Sequence, residues 1–270
     1  MAKAARTRPG GYLAGGVALQ SLLKGPRVSE DIDRFHDTES EIQSAFVRDM
    51  KVFRAARFQI RILVQQPTFI RAMVSSKGGD QIRIEWARDS AFRFFPLTEN
   101  LRLGRVLSPF DLATNKTLAM AGRLEVRDWL DMILCHKRLQ PLGLLAFAAC
   151  GKDPGFSPEG IIEYAARCSR YTAVELATIR FRSTPPRLAA LHKEWRAAVE
   201  QSREFLEYLP PDQAGRCVME GKKLFRGTPG QFRKALASGR LSFRTGHIEA
   251  VVGVPQPAHI YPDPLDIEPR

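Results

Sequence analysis

The hydrophobic period of this chain changes once, near residue 108, and that change constrains its fold more than any other feature. Before it, Phe58-Gln-Ile-Arg-Ile-Leu-Val64 and Phe69-Ile-Arg-Ala-Met-Val74 alternate apolar and polar residues, and Lys77-Gly78-Gly79-Asp80 turns the second run into Ile82-Arg-Ile-Glu-Trp86. Period two marks half-buried strands, and Gly-Gly between two such runs marks a hairpin. Ahead of them the pattern predicts a helix over 17–23, a strand over 29–35 and a helix from Thr38 or Glu39 to Arg57, with Ile42, Phe46, Met50 and Phe53 on one face. Ser108-Pro109 opens a region of helical period, since proline is tolerated in a first turn. Helices are expected over 109–122, 126–139, 142–150, 157–170, 172–181 and 186–208, with Pro-Pro pairs at 185–186 and 210–211 as punctuation. The stretch 212–246 is basic and less regular, and the proline-rich end reads as extended. The expected class is α+β: an N-terminal sheet with helices over 1–107, a helical region over 108–254 and an extended tail over 255–270.

A chain of 270 residues, 44% hydrophobic and 26% charged, buries a real core and belongs to neither the disordered nor the fibrous classes. Its formal charge of +12 draws polyanions such as nucleic acid or nucleotides, an acidic protein partner being the alternative. Residues 180–246 hold 14 Lys or Arg against 6 Asp or Glu, so the excess is concentrated there. Cys135, Cys150, Cys168 and Cys217 lie far apart without a CxxC pair, which gives no zinc site and points to buried free thiols in a reducing, cytoplasmic compartment. Lys3, Arg6 and Arg8 are followed by no apolar run, so a secretory signal is not expected, and the most apolar stretch, 142–150, is too short to span a bilayer.

The strongest local chemistry lies in Gly15-Gly16 and Ser29-Glu-Asp31-Ile-Asp33. Residues two apart in a strand share a face, so Ser29, Asp31 and Asp33 point the same way. Two carboxylates roughly 7 Å apart along a strand converge on a hard cation, and they repel one another without it. The glycine pair opens a helix whose leading N–H groups suit a phosphate, because a backbone without Cβ can be approached closely. A triphosphate there, bridged by magnesium to Asp31 and Asp33, makes a coherent site with Gly15, Gly16 and Ser29 as nucleotide-binding residues. A lone Asp-x-Asp is more often the wet face of an edge strand, so two further pieces matter. Glu85, on a strand whose Ile82 and Ile84 face the other way, offers a third carboxylate for in-line displacement at phosphorus. It is favoured over Asp80, which suits a turn, and Asp89, which lies beyond the strand. Lys116 lies among small residues on a helix and would set a point charge on a phosphate, while Asp128 and Asp131 share a helix face at i, i+3. The alternative for these three is an acidic pair favoured by the helix dipole and a solvated lysine.

Together Gly15-Gly16-Val-Ala-Leu, Arg27-x-Ser29-x-Asp31-Ile-Asp33, Leu107-Ser-Pro-x-Asp111-Leu-Ala-x-x-Lys116 and Arg127-Asp128-x-x-Asp131 resemble the AbiEii/AbiGii-type toxins of abortive-infection and toxin–antitoxin systems, within the polymerase-beta-like nucleotidyltransferase superfamily. The resemblance covers residues 10–140 in order and spacing. It implies a mixed sheet with helices, magnesium-dependent transfer of a nucleoside monophosphate from an NTP, a co-expressed antitoxin, and in some members a tRNA acceptor. By resemblance the catalytic set is Asp31, Asp33, Lys116 and Asp128, with Asp31 and Asp33 as metal ligands and Lys116 on the phosphates. Arg34 stands where the family pattern is apolar, and Glu85 where Asp is common.

An RNA acceptor would be held by the basic stretch that includes Arg180, Arg182, Lys222, Lys223, Arg226, Arg233 and Lys234. Two other readings compete. One is a basic nucleic-acid-binding or antitoxin-binding module without catalysis, and the other is nucleotidylation of a protein hydroxyl. His36 alternates to the face opposite Asp31 and Asp33, and His136, His192, His247 and His259 make no ligand spacing.

Overall fold

The computed structural model describes residues 11–248 and, within them, a mixed α/β chain in two compact units. The first unit runs up to Leu112 and regains Arg180–Ser183; the second takes the rest. The tail expected after Pro255 lies outside the described residues.

The first unit is built on a seven-stranded mixed sheet. Its strands are β1 (Tyr12–Ala14), β2 (Asp31–His36), β3 (Gln59–Gln66), β4 (Phe69–Ser75), β5 (Gln81–Arg88), β7 (Thr98–Asn100) and β8 (Gly104–Val106), in the order β3-β4-β5-β2-β1-β8-β7; β6 (Phe92–Arg93) is a separate short strand. The hairpins β3–β4 and β4–β5 are antiparallel, whereas β2 runs parallel to β5 and β1 parallel to β8. Helix α1 (Gly15–Leu22) follows β1 directly, and α2 (Glu39–Ala55) follows β2. Thr38 caps α2 by accepting from the Glu41 N–H, as its sequence suggests.

One face of the sheet is the core. Ile42, Phe46, Met50 and Phe53 of α2, the face expected from their spacing, pack on Ile70, Ala72, Val74, Ile84 and Trp86 of β4 and β5. Burial of such side chains contributes roughly 1.5–3 kcal/mol each. The even residues of β2 point into that layer: Ile32 packs against it, and the Arg34 guanidinium lies 3.5 Å from Asp49 of α2, which also accepts from Trp86 Nε1 at 2.8 Å. Arg34, the departure from the family pattern, is thus turned away from the aspartates and neutralises a buried acid. By alternation, Asp31 and Asp33 stand on the other face.

In the second unit, α3 (Pro109–Gly122), α4 (Val126–Arg138), α5 (Leu142–Ala149), α6 (Pro158–Arg167), α7 (Ala173–Ala177) and α8 (Leu188–Tyr208) follow the predicted helices closely, the unit boundary falling within α3. Helix α7 is shorter than expected, because Arg180–Ser183 extends and pairs back on 26–28: Arg27 bridges Phe181, and the Val28 N–H reaches the Arg180 carbonyl at 2.8 Å. Every residue of α5 is buried, and Gly143 lets it approach α8 so closely that a Cβ would stand 2.9 Å from Ser202 Cα.

The irregular-looking stretch after residue 212 forms an antiparallel sheet, β10-β9-β11, from β9 (Arg216–Glu220), β10 (Lys223–Leu224) and β11 (Leu241–Thr245), with α9 (Pro229–Ala237). Val218, Phe225, Phe232 and Ala235 from this region join Leu144, Phe147 and Phe205 in one apolar cluster. Cys217, Val218 and Met219 are all buried, so β9 shows no alternation and its period is illegible in the sequence. Among the described residues no helix is long and apolar enough to cross a membrane.

Candidate active site

The sheet register builds an acidic face. In the parallel pair of β2 and β5, Asp31 stands opposite Arg83 and Asp33 opposite Glu85; across the β4–β5 hairpin, Arg71 stands opposite Glu85. Like charges directly opposite each other destabilise a sheet, and here guanidinium groups are interleaved with the acids. Arg83 Nη2 donates to Asp31 Oδ2 at 2.5 Å, Arg83 Nε lies 3.6 Å from Glu85 Oε1, and Arg71 Nε donates to the same Oε1 at 2.8 Å. The hydrogen bond from Arg83 to Asp31 holds the guanidinium more firmly protonated than usual, ahead of the smaller opposing effect of burial.

The glycine turn closes on this face. Ala14 pairs with Asp33, so Gly15 begins α1 beside that carboxylate. Its φ is +65°, in the left-handed region, and a Cβ there would fall 1.6 Å from Asp33 Oδ2. A Cβ on Gly16 would meet Ser29 Oγ at 2.6 Å and Arg27 Nη2 at 2.7 Å. Gly15 and Asp33, and Gly16 and Ser29, are thus brought together as their motif suggests. The N-cap of α1 is Ala14, which has no side-chain acceptor to offer. Gly15→Ala should combine left-handed strain of roughly 1–2 kcal/mol with displacement of the Asp33 carboxylate. Transfer activity is expected to drop far more than the unfolding midpoint, and a Gly15→Ala enzyme of normal activity would show that Asp33 need not sit where it does.

The competitors of Glu85 are committed elsewhere. Asp80 pairs with Ser76 in the exposed turn, and Asp89 accepts from Tyr12 Oη at 2.6 Å and from the Ser90 N–H. His36 is fully buried. Glu85 itself is engaged by arginine, and among the described residues no three His, Cys, Asp or Glu side chains gather as a ready metal cluster. Sequence reasoning passed over Arg71 and Arg83, although counting the hairpin outward from Gly78 already puts Arg71 opposite Glu85.

Lys116 and Asp128 belong to the second unit. Lys116 Nζ lies 2.9 Å from Asp128 Oδ1 and 3.3 Å from Asp131 Oδ2, and both carboxylates are fully buried. Arg123 Nε donates to Asp128 Oδ2 at 2.8 Å. A solvated lysine beside a dipole-stabilised acidic pair does not describe this cluster. Burial pushes the Asp128 carboxyl up, but Lys116 and Arg123 outweigh it and hold its pKa below the ordinary value. Asp111, in the same motif as Lys116, is an organiser in the first unit, accepting from the Phe94 and Phe95 N–H groups and from Ser108 Oγ. The sequence spacing pointed to Lys116 and Asp128, but it held no sign of Arg123.

Comparison with known proteins identifies the family and the fold. The profile of the nucleotidyl transferase AbiEii toxin family, of type IV toxin–antitoxin systems, matches residues 5–215. No curated protein matches the chain. The fold is similar to that of MenT4, a nucleotidyltransferase toxin from Mycobacterium tuberculosis H37Rv, with a TM-score of 0.56 and 15% identity over 76% of this chain and 79% of that one. JHP933 from Helicobacter pylori matches with a TM-score of 0.44 and 17% identity over 76% of this chain and 88% of that one. With a family match over most of its length and the MenT4-like fold beneath it, the chain belongs to the AbiEii nucleotidyltransferase toxin family of type IV toxin–antitoxin systems.

Proposed function

We propose that this chain moves a nucleoside monophosphate from an NTP to an RNA acceptor, tRNA foremost, with magnesium held by Asp31 and Asp33. The observation that carries the reading is the pair of carboxylates on one face of β2, with the Gly15-Gly16 turn closing on Asp33, in a chain of nucleotidyltransferase family. The donor set suits magnesium, which is ordinarily held by one or two carboxylates together with substrate phosphates and water rather than by an all-protein cage. When bound, the ion would neutralise charge on the phosphoryl oxygens and help align the displacement. Asp31 and Asp33 would hold it, and Glu85, beside Asp33 in the register, would join them once its arginines release it. The Gly15-Gly16 turn and Ser29 receive the triphosphate through close backbone approach. Lys116 is assigned a phosphate contact, and Asp128, ionised between Lys116 and Arg123, positions its ammonium.

The family implies an antitoxin partner. Cys135, Cys150, Cys168 and Cys217 are free thiols, which fits the proposed cytoplasmic location. For the acceptor, the supporting feature is the basic stretch with Lys222, Lys223, Arg226, Arg233 and Lys234, all exposed and all in the second unit. Arg180 and Arg182, expected in the same surface, belong to the first unit, where Arg180 pairs with Glu30 and Arg182 donates to the Gly25 carbonyl. None of the exposed large hydrophobic residues falls within 212–246. Lysine-rich surface without apolar anchors suits phosphates better than the core of a protein interface.

The test is incubation with each labelled NTP, magnesium and total RNA. Arg226 Nη2 also holds the Lys137 carbonyl, so the cleaner reversal is Lys222→Glu, Lys223→Glu and Lys234→Glu together. That triple change should raise the KM for RNA and spare NTP binding. RNA affinity of the wild type should fall with salt at a log–log slope of roughly −0.7 to −0.9 per phosphate contact. Label in a protein band and never in RNA would remove the RNA assignment and leave the donor chemistry.

A further inference from the structure

We infer that Arg83 is the resident counter-cation of the acidic face: its guanidinium and a divalent cation compete for Asp31, so loading the ion requires Arg83 to let go. The inference rests on the two-aspartate reading proposed above. Arg83 faces Asp31 directly in the β2–β5 register, donates to Asp31 Oδ2 at 2.5 Å and reaches toward Glu85 Oε1 at 3.6 Å, so it lies across the face that Asp33 shares. A hard cation binds through carboxylate lone pairs, and Arg83 already holds part of those that Asp31 offers.

Charge balance points the same way. Counted among themselves, Asp31, Asp33 and Glu85 against Arg71 and Arg83 leave one net negative charge, and Arg61, opposite Met73 on β3, adds a cation farther along the same face. A divalent cation placed on top of both guanidiniums would make it net positive at contact distances, where repulsion is strong. With Arg83 withdrawn, the same ion balances the three acids and Arg71. Its side chain is partly exposed and only 3.6 Å from Glu85, so it can swing into water, whereas Arg71, as exposed but donating to Glu85 at 2.8 Å, remains to balance that acid. In the metal-free state the arrangement also removes the repulsion that adjacent aspartates would otherwise feel, so a pair of acids can sit on a strand without an ion.

Two ligands that exclude one another at one site are coupled, and removing one strengthens the other by the same factor. Mn2+ alone, without nucleotide, is titrated into the full chain and followed by calorimetry or by the electron paramagnetic resonance of the free ion. Arg83→Gln should bind Mn2+ roughly tenfold more tightly than wild type. Arg83→Lys keeps the charge and should stay close to wild type. Arg83→Met, which preserves the aliphatic stem, makes the same prediction as Arg83→Gln and replaces it if that variant does not fold. A merely structural staple between β2 and β5 would alter the unfolding midpoint and leave Mn2+ affinity unmoved. Equal or weaker binding by the folded, charge-free variants overturns the role of Arg83 and leaves the transfer reading intact. Absence of Mn2+ binding in every protein overturns the two-aspartate site and this inference together.

Discussion

Asp33→Ala is expected to abolish nucleotide transfer while the chain stays folded. Asp33 stands on the face that β2 turns away from α2, between Gly15, whose glycine identity is required by its closeness, and Glu85 across the register. Ligands to a catalytic ion supply several kcal/mol of charge stabilisation, so the loss should be roughly a thousandfold or more in kcat/KM. The core beneath is untouched, because Ile32 and Arg34 make the contacts with the α2 layer. Asp31→Ala should be equally inactive but different in stability. Repulsion between adjacent acids would predict that removing either one stabilises the metal-free protein, yet Arg83 already neutralises Asp31, so its removal leaves a guanidinium without that partner. Expression of the wild type without its antitoxin should arrest bacterial growth, and the Asp33→Ala form should not. Near-normal turnover by a folded Asp33→Ala protein would remove the site, and equal toxicity of both forms would separate toxicity from catalysis.

Lys116→Ala is expected to have the largest effect on stability. It would leave Asp128 and Asp131 fully buried with their shared ammonium gone, Arg123 still donating to Asp128. Breaking a buried pair from one side costs about 3–5 kcal/mol. For a chain of this size that lowers Tm by roughly 6–20 °C. Loss of a phosphate contact would add a further ten- to hundredfold weakening of NTP binding, on the order of 1.5–3 kcal/mol. Lys116→Arg should rescue poorly, since a planar fork does not fit where one compact ammonium meets two carboxylates. The pH dependence follows from the depressed Asp128 pKa. A carboxyl whose folded pKa lies below its unfolded value contributes stability above the unfolded value, and that contribution is lost as pH falls through the folded pKa. Without Lys116 the Asp128 carboxyl loses one of the two cations that oppose burial, so its pKa rises relative to the wild type and acid neutralises it in the variant first. The difference in unfolding free energy should therefore narrow as pH falls from neutral toward the ordinary carboxylate range. A constant difference over that range, measured by urea unfolding, would mean that lost packing rather than uncompensated charge explains the change.

The sequence by itself determined what one face of an element can show. Period two in 58–86 and 29–35 announced strands and set Asp31 and Asp33 on a common side; the spacing of Ile42, Phe46, Met50 and Phe53 announced the buried face of α2; i, i+3 spacing aligned Asp128 with Asp131. Each of these is local, because burial of one side repeats with the geometry of a single strand or helix. The tertiary structure alone decided who sits opposite whom. Between β2 and β5 lie a helix and two hairpin strands, and no turn links them, so nothing local says that Asp31 will face Arg83 and Asp33 will face Glu85. The return of Arg180–Ser183 to the first unit, more than 150 residues after its backbone partners, uses backbone hydrogen bonds that carry no side-chain signature, beside the Arg180–Glu30 pair and the Arg182 bond to Gly25, which no spacing announces. Lys116 could be read as a free charge or as a buried one until the packing of the second unit closed two aspartates over it. Parallel pairing and helix packing are set by how whole layers bury their apolar faces, and the charged groups meet as a consequence.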